Sequence, residues 1–188
     1  MAQQQNFTDA LLLIEQVLTA DSGNEAAQAL KVKIGLHSKN SEVTESALKS
    51  LVGIAPENLQ YSIRLAQFYL DNGETSRAPE VFKPLLSLFQ HPDLYFNYAW
   101  FLNRAAEHRQ ALINYQKSID LGLQGSEEAH LNMASIYSSW LFSPDEAKKH
   151  LVIALKINPS YVDALYNLGN LEEDSGNRES AKMQFGKI

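Results

Sequence analysis

The chain repeats itself. Asn97, Asn132 and Asn167 recur every 35 residues (132 − 97 and 167 − 132), and Asp93, Glu128 and Asp163 recur in step with them. So do Phe96, Leu131 and Tyr166. A period of about 20–50 residues restricts a fold more than composition does. One such unit is too small to bury its own apolar face, so neighbouring units must cover it in a quasi-linear stack.

Within each unit the apolar residues fall at helical spacing, as in Leu65-Ala66-Phe68-Tyr69 and Leu112-Tyr115-Ile119. Small residues also recur in pairs: Ala66 with Ala78, Ala99 with Ala111, Ala134 with Ala147, Gly169 with Ala181. A pair of small side chains lets two antiparallel helices approach closely. Ser143-Pro144-Asp145-Glu146 reads as a helix start, with Ser as N-cap, Pro at the first position and Glu three residues on. Gly73 and Gly176 stand where a first helix would end. Pro84 falls inside what should be the second helix of its unit. A mid-helix proline removes a hydrogen bond and costs about 3 kcal/mol, which predicts a kink. Pro79 lies nearer that helix's first turn and is easier to tolerate.

The pattern is sharpest near the end of the chain. With Val162 as position 1, Leu165 falls at 4, Leu168 at 7, Gly169 at 8, Gly176 at 15, Ala181 at 20 and Phe185 at 24. Upstream, Met133, Ala134 and Tyr137 occupy positions 7, 8 and 11, with one extra residue in the following inter-helix turn. This pattern resembles that of the tetratricopeptide repeat, and the resemblance covers nearly all of the chain. It implies an all-α right-handed solenoid of antiparallel helix pairs, one continuous domain of eleven helices. A lone helix lies in residues 1–23, followed by repeats at 24–58 (the most degenerate), 59–91, 92–126, 127–161 and 162–188. The lone helix, about residues 7–20, matches a second helix with Ala10 at position 20 and Ile14 at 24. Ile188 falls at position 27, before the last helix should finish, so the sequence reads as a fragment of a longer array with an uncapped stacking face.

The resemblance further implies that positions 2, 5, 6, 9, 12 and 13 of each first helix line a concave face. Read off this sequence, position 2 gives Asp93, Glu128 and Asp163, and position 5 gives Phe96, Leu131 and Tyr166. Position 6 gives Asn97, Asn132 and Asn167, and position 9 gives Trp100, Ser135 and Asn170. A carboxamide offers an acceptor and two donors, so a row of them can hold an extended peptide by its backbone. Such a row resembles an asparagine ladder found in the family, but Asn at this position also serves simply as repeat consensus bonding locally. The acidic row suits either a basic peptide or the positive ends of helix dipoles. The aromatics serve either as binding anchors or as packing between repeats. The family's carboxylate clamp is absent, because position 5 is apolar and Arg64, at a position 6, has no accompanying Lys at position 2.

Other function classes find little support. The formal net charge is −6 with no basic block, which argues against nucleic acid as partner. There is no cysteine, hence no disulfide or thiolate site. His37, His91, His108, His130 and His150 are scattered without metal-ligand spacing, with His130 at a packing position. Glu172-Glu173-Asp174 reads as a solvated helix end, and nothing assembles a nucleophile, base and oxyanion donor. The expectation is a chain that is no enzyme, with no metal, no cofactor and no membrane span. Without a recognisable signal peptide, the cytoplasm is its default location. Its expected role is a scaffold holding an extended peptide or partner helix along the concave groove. The alternatives are a docking segment of a larger glycosyltransferase, sulfotransferase or methyltransferase, and a scaffold that self-associates through its uncapped terminal repeat.

Overall fold

A computed structural model describes residues 2–188. Twelve helices and no strand are found among them. They form two compact units, one ending at Phe89 and one running from Gln90 to Ile188, where the sequence reads as one continuous array.

The first unit contains α1 (Ala2–Ala20), α2 (Glu25–His37), α3 (Ser41–Ile54), α4 (Leu59–Asp71), α5 (Arg77–Glu80) and α6 (Lys83–Leu86). The second contains α7 (Pro92–Arg104), α8 (His108–Asp120), α9 (Ser126–Ser139), α10 (Pro144–Ile157), α11 (Val162–Asp174) and α12 (Arg178–Phe185). Helices adjacent in sequence pair most closely: α2 with α3, α7 with α8, α9 with α10, and α11 with α12. The count exceeds eleven by one because the second helix of the 59–91 unit is broken in two. Pro84 has no N–H to give the carbonyl of Glu80, and α5 ends at that residue. Phe82 and Leu85 then donate to Pro79 and Phe82 at 3.0 and 2.9 Å, the three-residue spacing of a tighter turn. The expected kink is therefore a full break, held in place because Phe82 and Leu85 remain buried.

Helix ends follow local chemistry. The carboxamide oxygens of Asn24 and Asn40 accept from the N–H groups of Ala27 and Val43 at 2.9 and 3.1 Å, capping α2 and α3. Ser143 precedes α10 as predicted, but its hydroxyl donates back to the carbonyl of Leu141 at 3.1 Å instead of capping the helix. Gly73 and Gly176 turn the chain after α4 and α11 with φ of 78° and 79°, where a side chain would be strained. Lys39, Ala106 and Phe142 do the same after α2, α7 and α9 with φ of 55°, 63° and 50°, so the left-handed turn persists where glycine does not.

The first unit is cross-linked by a polar cluster joining α3, α4 and α5. Glu45 bonds Lys49 at 2.8 Å, Arg77 at 2.6 Å and the hydroxyl of Tyr69 at 3.0 Å, while the Arg77 guanidinium lies 4.0 Å from the Tyr69 ring centre. The bonds from Lys49 and Arg77 hold the Glu45 carboxyl at a pKa of about 2. In the second unit, Ala134, Ala147, Leu151, Ala154, Ala164 and Leu168 form a buried cluster shared by α9, α10 and α11. Gly169 stands where α11 meets α12, and a Cβ there would collide with the Phe185 ring.

The tightest approach in the first unit is at Gly35, where a Cβ would lie 2.9 Å from the backbone N and 3.1 Å from the Cα of Thr44. Gly53 is exposed and has nothing within 4 Å of the same position. Gly35→Ala should therefore cost about 1–3 kcal/mol by overpacking, whereas Gly53→Ala should add up to about 1 kcal/mol of helix propensity. Urea midpoints of the two variants should move in opposite directions from wild type.

Candidate functional site

The first helices of the second unit's three pairs are α7, α9 and α11, and α7 also touches α9 directly. Asp93, Glu128 and Asp163 stand in the first turns of these helices, where the macrodipole favours a carboxylate. Phe96 is half-buried, edge-on to Tyr115 at 5.5 Å. Leu131 packs against the cluster between α9, α10 and α11. Tyr166 is 55% exposed, with its ring centre 6.2 Å from that of Phe185. Trp100 is half-buried, edge-on to Phe101 at 4.9 Å, with the Arg104 guanidinium 5.5 Å from its centre.

The three asparagines of the predicted row stand in three environments. Asn97 donates to the carbonyl of Asp93 at 2.8 Å, the bond of a side chain folded back on its own helix. The Nδ2 of Asn132 is buried and has no partner. Asn167 is exposed and, with Asn170, lines a cleft of ≈ 200 Å³ between α9 and α11. Ser135, Ser138 and Ser139 form the α9 wall of this cleft, and Asn167, Asn170, Leu171 and Asp174 form the α11 wall. Ala134 with Ala147 and Leu151 of α10 complete the lining and are buried. Each wall follows helical spacing, at i, i+3, i+4 on α9 and i, i+3, i+4, i+7 on α11, so one face of each helix turns toward the other.

Ser138 and Ser139 were not among the residues named from the sequence, and Asp174 was named only as part of a solvated helix end. They occupy positions 12 and 13, so the repeat register itself points to them. Glu172 requires a correction: it is not part of a solvated helix end. It is 5% exposed, paired with Lys148 at 2.7 Å and accepting from Asn177 at 2.8 Å. The Lys148 ammonium, followed by Asn177, draws its carboxyl below the ordinary range. No group of three or more His, Asp or Glu among the described residues is placed to hold a metal. No described helix is long and apolar enough to cross a membrane.

No family model and no curated protein matches this sequence. Solved structures match it by fold. A crystal structure of MamA gives a TM-score of 0.66 over 81% of this chain and 89% of that one, at 21% identity. YrrB, described as a TPR protein with an unusual peptide-binding site, gives 0.63 over 93% and 89% of the two chains, at 16% identity. Human IFIT1, in a dimer with PPP-AAAA, gives 0.64 over 97% of this chain and 45% of that one, at 19% identity. The fold is of the tetratricopeptide type.

One further contact escaped the sequence. His130 of α9 and His150 of α10 meet Nδ1 to Nδ1 at 2.9 Å, and His150 stacks on Tyr137 at 5.4 Å. One ring must donate and the other accept, so the contact requires at least one neutral ring. Burial pushes both pKa values below the ordinary 6.5, and for His150 the charge of His130 pushes the same way. The unfolded chain therefore binds more protons than the folded one as pH falls below about 6.5, and stability falls with it. The depressed carboxyls of Glu45 and Glu172 lose their contribution as pH falls below about their ordinary value of 4.5, lower than the onset of the histidine effect. Urea unfolding of wild type should show a lower midpoint at pH 5.5 than at 7.5, and His130→Gln/His150→Gln should remove most of the difference.

Proposed function

We propose that this chain is a protein-interaction module that holds an extended peptide, or an extended stretch of a partner, in the cleft between α9 and α11. The observation that carries this reading is the lining of that cleft. Ser135, Ser138 and Ser139 on one wall and Asn167 and Asn170 on the other line it over a buried floor that includes Ala134. These groups both donate and accept, so they can pair with either polar group of a peptide unit without selecting a side chain. A short side chain underneath leaves room for the peptide's own backbone. Helices held by their neighbours present these groups in fixed positions, which reduces the ordering cost of binding.

YrrB provides a peptide-binding precedent on the same fold. IFIT1 with PPP-AAAA raises a nucleic-acid alternative, but the cleft here is lined by no Lys or Arg to meet phosphates. Of the other two asparagines in the predicted row, Asn132 has a buried Nδ2 and stands outside the lining of the cleft, and Asn97 serves α7.

Each net hydrogen bond is worth about 0.5–1.5 kcal/mol, so losing two should weaken binding roughly tenfold. An unbiased peptide library should therefore yield ligands that bind wild type about ten times more tightly than Asn167→Ala/Asn170→Ala, with helicity by circular dichroism unchanged. Neither Asn132→Ala nor Asn97→Ala, both outside the lining of the cleft, should weaken them further. Equal binding by wild type and the double variant would remove the cleft from consideration.

A further inference from the structure

We infer, on the basis of the cleft reading above, that the preferred occupant carries a lysine or arginine whose charge sits beside Asp174, at the end of the cleft where α9 and α11 finish. Asp174 is the one ionisable group in the lining. It is exposed, and no ion pair among the described residues engages it.

The backbone adds to its charge. A helix C-terminus carries a partial negative charge, which Lys, Arg or His in the last turn ordinarily offsets. Neither α9 nor α11 has a basic residue in its last turn, although α7 has Arg104 and α10 has Lys156. The helices that begin nearby in the chain do not reverse this sign. α10 has Asp145 and Glu146 in its first turn, and in the first turn of α12 Arg178 is followed by Glu179. Lys148 and Arg178 line a separate depression with Glu172 and Glu179, and Lys148 is held by Glu172.

The cleft is thus neutral and hydrogen-bonding along its walls and negative at one end. Neutral walls can bind backbone of any sequence, whereas a negative end selects for a cation. Lys and Arg fit because their long apolar stems can cross the half-buried Leu171 while the charged head stays in water beside Asp174. An acidic peptide would place like charge at the same point. The net charge of −6 strengthens the discrimination at low salt.

The test uses the full chain and capped peptides from an unbiased library, read by fluorescence anisotropy. The ligands that depend on Asn167 and Asn170 should be enriched in Lys or Arg at one position. Replacing that residue with Gln, or making Asp174→Asn, should each weaken binding by roughly fivefold. The two changes together should cost little more than either alone, and the difference should shrink at high salt. If ligands depend on Asn167 and Asn170 but show no basic preference, or bind Asp174→Asn equally well, the inference fails while the cleft reading stands. If no ligand depends on the two asparagines, the cleft reading fails and takes this inference with it. Circular dichroism of Asp174→Asn separates lost charge from lost fold.

Discussion

A helix in this chain cannot bury its apolar face alone, and it can approach a partner only where the side chains at the crossing are small. Ala66 and Ala78, Ala99 and Ala111, and Ala134 and Ala147 are all essentially inaccessible, and Ala181 is 3% exposed opposite buried Gly169. At each crossing the gain comes from the larger neighbours that can then close over the pair, such as Phe82, Tyr115 and Leu151. Burial of that kind is worth about 25 cal/mol per Å² of apolar surface, so the small residues act indirectly by allowing it. Either unit would loosen if they grew, as the ring of Phe185 against Gly169 illustrates.

The same residues form the candidate site. Ala134 and Ala147, which let α9 and α10 pair, also line the cleft between α9 and α11. Packing therefore sets the depth of the groove, and the exposed faces of α9 and α11 are left free to carry Ser135, Ser138, Asn167, Asn170 and Asp174. This separates stability from recognition. Under the proposed function, a change at a wall residue would alter what is bound, while a change at the floor would alter whether the walls face each other at all. The His130–His150 contact sits in the α9–α10 pairing and ties its stability to protonation without entering the lining of the cleft.

Periodicity made the helices and their pairing legible, because stacked helix pairs demand a regular spacing and small residues at every crossing, and this chain has both. Pro84 announced the break in its helix, although not that the break would be complete, since only the burial of Phe82 and Leu85 keeps the two halves in place. The left-handed turns at Lys39, Ala106 and Phe142 were not visible, because in those copies geometry imposed from both sides replaces the glycine that would mark them. In the site, register placed Asn167 and Asn170 on one helical face, where the structure also has them. It did not distinguish Asn97, whose amide is satisfied by its own helix, from Asn132, whose amide is not. Register also could not reveal Glu172 as buried, since its environment depends on Lys148 and Asn177 from other segments. The His130–His150 contact was hidden for the same reason: 20 residues separate its members, and only the α9–α10 pairing joins them.

The most direct test of the central claim is a chemical-shift map of the isotope-labelled chain titrated with a library-selected peptide. If the cleft is the binding surface, the largest changes fall on the amides of Ser135, Ser138, Asn167 and Asn170, including the side-chain amides of the two asparagines. The competing surface is equally well defined: Trp140 is 57% exposed and stacked on His108 at 4.4 Å, with Phe142 82% exposed beside it in sequence. Changes centred on Trp140, Phe142 and His108, with the α9 and α11 walls unmoved, would contradict the account.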